Sequence, residues 1–128
     1  MLVIDDEPLI RKVIERTLST AAHVTLAVDG AGALELLRAG ERFDVVLCDV
    51  VMPAMDGVEF YDRLSAELPE EAARLVFMTG GLVGARVQAF FRRAPNLVLE
   101  KPLDLSVLHA LVLSRISGEA RPVVALEA

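Results

Sequence analysis

The 128-residue sequence contains a single cysteine, Cys48. One cysteine excludes an internal disulfide and makes a cysteine-rich metal site untenable. No apolar stretch is long enough to span a bilayer, and no charged-then-apolar leader opens the chain. These features predict a cytoplasmic domain without direct membrane contact. Basic residues are in deficit, 13 against 19 acidic ones, for a net charge of −6. That balance argues against nucleic acid as a direct partner and suits a protein or a small ion. No Walker-type glycine loop follows the first apolar run, so a bound nucleotide is not expected. There is no internal repeat and no low-complexity tract.

What is present is a globular composition, 54% hydrophobic and 25% charged, at a length that makes one domain with a proper core. One stretch organises it: Phe43-Asp44-Val45-Val46-Leu47-Cys48-Asp49, followed by Val50-Val51-Met52-Pro53-Ala54-Met55-Asp56-Gly57. A short apolar run bounded by turn signals reads as a strand buried on both faces. Asp49 then stands where a buried strand meets a loop, and Pro53 and Asp56-Gly57 break the chain.

The same rhythm recurs. Strand candidates are Met1–Ile4, His23–Val28, Arg74–Thr79 and Leu97–Leu99, and each run is followed by a helical pattern. Leu9, Ile10, Val13, Ile14 and Leu18 set one helix face, and Pro8 suits its first turn. Ala33, Leu34, Leu36 and Leu37 set the second, Phe60, Leu64 and Leu68 the third, with Pro69 stopping it. Val83, Val87, Phe90 and Phe91 suggest a fourth, and Leu105, Leu108, Val112 and Ile116 a last one ended by Gly118. Five strands alternating with five helices predict an α/β fold of three layers, a parallel sheet with helices on both faces. The expected domain is 1–116, with a tail or linker over 117–128. The abrupt start of the first strand and the featureless tail fit a piece cut from a longer chain or a tag remnant, and equally an ordinary pair of ends.

Every strand but the second delivers a polar residue to its carboxyl end: Asp5 and Asp6, Asp49, Thr79, Lys101. On a parallel sheet those ends share one edge, where ligands collect. Three carboxylates there repel one another, and a hard divalent cation such as Mg²⁺ relieves the conflict. Metal, the Lys101 ammonium and the Thr79 hydroxyl suit the oxygens of a phosphoryl group in transfer. Asp49 becomes the nucleophile, as carboxylates do in covalent phosphoryl transfer.

Asp5-Asp6, Asp49 with Met52-Pro53-Ala54-Met55-Asp56-Gly57, Thr79-Gly80 and Lys101-Pro102 together resemble the receiver domain of two-component response regulators, over Leu2 to about Ile116. The resemblance implies a flavodoxin-like sheet of order 2-1-3-4-5, with Asp49 accepting a phosphoryl group from a phosphohistidine on a histidine kinase or histidine phosphotransfer domain. It implies Mg²⁺ held by Asp6, Asp49 and the backbone carbonyl of Val51, with Asp5 acting through water. Thr79 and Lys101 would contact the phosphoryl oxygens, and the Lys101-Pro102 peptide is often cis in relatives. Such domains catalyse only their own phosphorylation and dephosphorylation and are not otherwise enzymes. A weak homodimer is left open. One position departs: relatives that switch an output domain carry Tyr or Phe three residues before the lysine, paired with the threonine, and here Val98 has no ring to move. Phe77-Met78-Thr79-Gly80-Gly81 and Leu99-Glu100-Lys101-Pro102 look most like receivers attached to hybrid sensor histidine kinases, with a free-standing response regulator as the alternative.

Plainer readings stand beside these. Asp5-Asp6 alone is a common solvated pair, and Lys101 with Asp49 could be a purely structural ion pair. Met52, Met55 and Met78 read as packing residues, Cys48 as an inert buried thiol, and His23 and His109 as isolated. An aspartyl-nucleophile phosphatase of the haloacid dehalogenase type needs an acid two residues after the nucleophile, where this chain has Val51. A module that kept the fold and lost the chemistry is disfavoured because all five chemical positions are present.

Overall fold

The computed structural model describes residues 1–81 and 84–117. Five parallel strands, β1 (Leu2–Ile4), β2 (Thr25–Ala27), β3 (Val46–Asp49), β4 (Leu75–Gly80) and β5 (Val98–Lys101), form one sheet in the order β2-β1-β3-β4-β5. The register pairs Ile4 with Cys48, Asp49 with Met78 and Gly80 with Lys101, which aligns the strand ends.

Alternation along the strands divides the core in two. Leu2, Ile4, Val46, Cys48, Leu75 and Phe77 face one layer, and Val3, Leu47, Val76 and Met78 face the other. The first layer is covered by α2 (Gly30–Arg38), α3 (Gly57–Glu67) and α5 (Ala85–Arg93); the second by α1 (Pro8–Leu18) and α6 (Leu105–Ile116). A tilted aromatic cluster of Tyr61, Phe77, Phe90 and Phe91 seats α5. Met52 and Met78 are buried in the core, and Met55 packs against it.

The described residues hold six helices where five were expected. The extra one is the single turn α4 (Pro69–Ala72). Pro69 ends α3 because it cannot donate to the helix before it, yet its fixed φ starts the next turn. Asn96 ties this turn to the sheet, its Nδ2 donating to the carbonyls of Ala72 and Leu75 at 2.9 and 2.8 Å. On α1, Leu9 and Val13 are not core residues; they are 66% and 40% exposed, while Ile14 and Leu18 are buried. Ile10, Ile14 and Leu18 form the four-residue row that faces the sheet, and Leu9 and Val13 lie about 100° round the helix. Ile116 likewise points outward. Val83, Gly118 and all of the expected tail but Ser117 fall outside the described residues.

Asp56-Gly57, expected to break the chain, instead starts a helix, and Asp29-Gly30 does the same. Asp29 accepts from the Gly32 N–H at 2.8 Å and Asp56 from the Glu59 N–H at 2.9 Å, which fixes the starts of α2 and α3. The tight backbone in the β3–α3 loop is at Ala54 instead, with φ of 65°. Gly57 is required by close approach: its N–H donates to the Val50 carbonyl at 2.8 Å, and a Cβ there would lie 2.8 Å from Val50 Cα and 3.0 Å from the Asp49 carbonyl oxygen. Gly57→Ala is therefore expected to destabilise the fold by roughly 1–3 kcal/mol, the usual cost of overpacking a tight site. Denaturant unfolding measures it, and an unchanged midpoint would mean that the backbone contact is not tight.

Candidate functional site

The ends of β1, β3, β4 and β5 bring Asp5, Asp49, Thr79 and Lys101 to one edge of the sheet. Lys101 is the hub. Its Nζ donates to Asp49 Oδ2 at 2.9 Å and to Asp5 Oδ2 at 3.2 Å. The other carboxylate oxygens are held by main chain: Asp5 Oδ1 accepts from the Glu7 N–H at 2.9 Å, and Asp49 Oδ1 from the Val51 N–H at 3.1 Å. Arg11 on α1 donates to the Asp5 carbonyl at 2.7 Å and anchors the β1–α1 turn.

Asp5 is fully buried and Asp49 nearly so, whereas Asp6 is exposed beside them. Asp5, Asp6 and Asp49 each offer an oxygen, and these oxygens lie within 4.8 Å of one another. One ammonium against three carboxylates leaves negative charge uncompensated. The all-oxygen donor set with one solvent-facing member fits a hard divalent cation that keeps part of its water, as Mg²⁺ does. The Val51 main chain is pinned next to Asp49 by the same N–H bond. The Thr79 Oγ1 is buried with no hydrogen-bond partner among the described residues. An unpaired buried hydroxyl costs about 1–3 kcal/mol, so a ligand able to accept a hydrogen bond from it would be stabilised there.

Burial is the largest influence on the Asp49 carboxyl and pushes its pKa up; the Lys101 hydrogen bond opposes this, and the Asp5 charge reinforces it. For Lys101, burial acts downward, but the hydrogen bond and charge of Asp49 and the charge of Asp5 outweigh it and hold the ammonium above its ordinary pKa. Both members of one ion pair thus rise, because Asp49 has burial and then a second carboxylate against its charge, while Lys101 has two carboxylates in its favour. The Cys48 thiol is pushed well up by burial and then by the Asp49 and Asp5 charges, which leaves it a poor nucleophile.

Asp5, Asp6, Asp49 and Lys101 therefore converge, and Thr79 stands near the end of the neighbouring β4. Val98 lies on β5 opposite Phe77, packed on the aromatic core and apart from the polar group. The Lys101-Pro102 peptide is cis. Sequence reasoning missed Arg86, whose Nη1 donates to Asp56 Oδ2 at 2.6 Å and joins α5 to the β3–α3 loop. It missed Arg11 as well; neither belongs to a local motif that would mark it.

A raised Asp49 pKa means that the native state binds the Asp49 proton more tightly than the unfolded chain does. Ionising Asp49 then costs stability above its folded pKa and costs none below the ordinary carboxylate range. With divalent cations chelated, Asp49→Asn is expected to raise Tm at pH 7, and the gain should vanish as pH falls through that range. Thermal unfolding across pH checks it; a lower Tm at pH 7 would show that the Lys101 contact outweighs burial and repulsion.

A family model described as the response regulator receiver domain matches residues 1–113. The chain is 36% identical over 111 residues to the response regulator MprA of Mycolicibacterium vanbaalenii, covering 86% of this chain and 47% of that protein. It is 31% identical over 110 residues to a chemotaxis protein CheY homolog of Campylobacter jejuni, covering 84% and 85%. The chain thus spans about half the length of MprA and most of the CheY homolog. Among solved structures, a two-component transcriptional regulator AraC from Clostridium phytofermentans superposes with a TM-score of 0.75 at 26% identity, over 99% of this chain and 96% of that one. Sequence match and sheet order agree, and the chain belongs to the response regulator receiver domain family.

Proposed function

We propose that Asp49 is the phosphoacceptor of a His-Asp phosphorelay, taking its phosphoryl group from a phosphohistidine on a histidine kinase or histidine phosphotransfer domain. The observation that carries this reading is Lys101 bonded to both Asp5 and Asp49 at the sheet edge where β4 also brings Thr79, its hydroxyl buried without a partner. A carboxylate oxygen of Asp49 forms the new bond to phosphorus, the P–N bond breaks, and the imidazole leaves with the electron pair and takes a proton from solvent. Lys101 then shares its ammonium with the phosphoryl oxygens and offsets the added charge. The Thr79 hydroxyl donates to one of those oxygens, which satisfies it. When bound, Mg²⁺ would be held by Asp6, Asp49 and the Val51 carbonyl, with Asp5 acting through water, and would supply positive charge to the transferring group. Water returns the domain to its resting state by hydrolysing the acyl phosphate, so the only catalysis is on itself.

The domain is taken as residues 1–116 and the segment 117–128 as a linker. A cytoplasmic setting follows from the partner chemistry; none of the described helices is long and apolar enough to cross a membrane. The Phe77-Met78-Thr79-Gly80-Gly81 and Leu99-Glu100-Lys101-Pro102 segments favour a receiver module of a hybrid sensor histidine kinase over a free-standing regulator. With no ring at Val98, phosphorylation is expected to be felt mainly at α5 and the Gly80-Gly81 segment before it.

Incubation with Mg²⁺ and a small acyl-phosphate donor tests the chemistry. Mass spectrometry is expected to find one acid-stable, hydroxylamine-labile phosphoryl group on Asp49, absent with chelator and absent in Asp49→Asn. Label at that site in the Asn variant would remove Asp49 from the role of nucleophile. Sustained turnover of diverse phosphate esters would instead make the protein a phosphatase.

A further inference from the structure

Asp56 and Gly57 sit between the phosphorylation site and α5 and touch both. Gly57 lies against Asp49 and Val50, bonded to the Val50 carbonyl at 2.8 Å with no room for a Cβ. Asp56 uses one carboxylate oxygen to cap α3 and the other to receive Arg86 at 2.6 Å. Arg86 stands in the first turn of α5, a helix whose only buried side chain is Phe90. The chain of contact therefore runs from the Asp49 carbonyl through Gly57 and Asp56 to Arg86. Its Arg86–Asp56 link alone bridges 30 residues of sequence, and the path bypasses Val98.

We infer that Arg86 is a positioning residue: by gripping Asp56 it holds the β3–α3 loop, and with it Val51 and Asp49, in the geometry that binds Mg²⁺, and it links that geometry to α5. The inference rests on the phosphoacceptor reading and names a regulatory contact of the same site. Linkage makes the effect reciprocal. If the pair favours the metal-binding loop, occupying the site must tighten the pair and shift α5.

Simple electrostatics predicts the opposite sign for one variant, which makes the inference testable. Arg86 is a cation near an acidic pocket, so through charge alone its removal would strengthen Mg²⁺ binding. Through positioning, its removal weakens binding. Asp56→Asn keeps the helix cap, since Asn caps as well as Asp, and removes only the charge that Arg86 grips.

The experiment is a Mg²⁺ titration of the full chain, followed by backbone amide shifts, for the unmodified protein, Arg86→Ala, Arg86→Lys, Asp56→Asn and the Arg86→Ala/Asp56→Asn double variant. Adding beryllofluoride as a phosphoryl analogue at saturating Mg²⁺ then reports on α5. Each single loss is expected to weaken Mg²⁺ binding about two- to fivefold, the size such a pair can supply. The double variant should be no weaker than the worse single, Arg86→Lys should recover part of the loss, and the analogue-induced shifts across residues 85–93 should shrink. Tighter binding in Arg86→Ala, additive losses in the double variant, or α5 shifts equal to those of the unmodified chain would each overturn the inference. Failure of the unmodified protein to bind Mg²⁺ would overturn the phosphoacceptor reading as well, so the two failures are told apart by the control.

Discussion

Three carboxylates share one end of this sheet with a single ammonium, and that imbalance governs the rest of the structure. Asp5 is fully buried, yet Lys101 and a backbone N–H satisfy both of its oxygens. Asp49 is satisfied in the same way. The arrangement is stable enough to fold and short of one positive charge. A group that brings positive charge, or one that redirects Lys101 from the carboxylates to new oxygens, acts on a site already biased to respond. Burial sharpens the effect, because charges in a dry pocket interact more strongly than charges in water.

The fold supplies this convergence cheaply. Parallel strands joined by right-handed crossovers point all their carboxyl ends the same way, so residues as far apart as Asp5 and Lys101 meet without any long loop. The two apolar layers fix the strands rigidly, and the polar tips inherit that rigidity. Asp49 sits on a strand buried on both faces, and the Gly57 contact presses the following loop back onto it. Outside this frame lie the β3–α3 loop, with its left-handed Ala54, and α5, held by the aromatic cluster and by ion pairs of Arg86 and Arg93 with Asp56 and Asp62.

Much of this was legible in the sequence because period-two and helical apolar patterns report which element each residue belongs to. Once β1, β3, β4 and β5 are placed, Asp5, Asp49, Thr79 and Lys101 must share an edge. The misreadings have equally physical sources. Leu9 and Val13 satisfy a helical spacing but belong to a row turned away from the sheet, and a one-residue offset is hard to see in an apolar-rich helix. Asp29-Gly30 and Asp56-Gly57 carry turn chemistry, yet a helix cap draws on the same residues. Pro69 signals a stop, and only packing shows that it also starts a turn. The Arg86–Asp56 contact and the unpartnered state of the Thr79 hydroxyl are purely three-dimensional, since no local pattern encodes either.

The central claim is that the carboxylate cluster is completed by a divalent cation. Thermal unfolding of the unmodified chain at pH 7 over a range of Mg²⁺ concentrations tests it most directly, because a ligand that binds only the folded state raises stability by mass action. Tm should climb continuously with Mg²⁺ at constant ionic strength, and Asp6→Asn should blunt the climb. A Tm indifferent to Mg²⁺, or one that rises equally with a monovalent salt, would contradict the account.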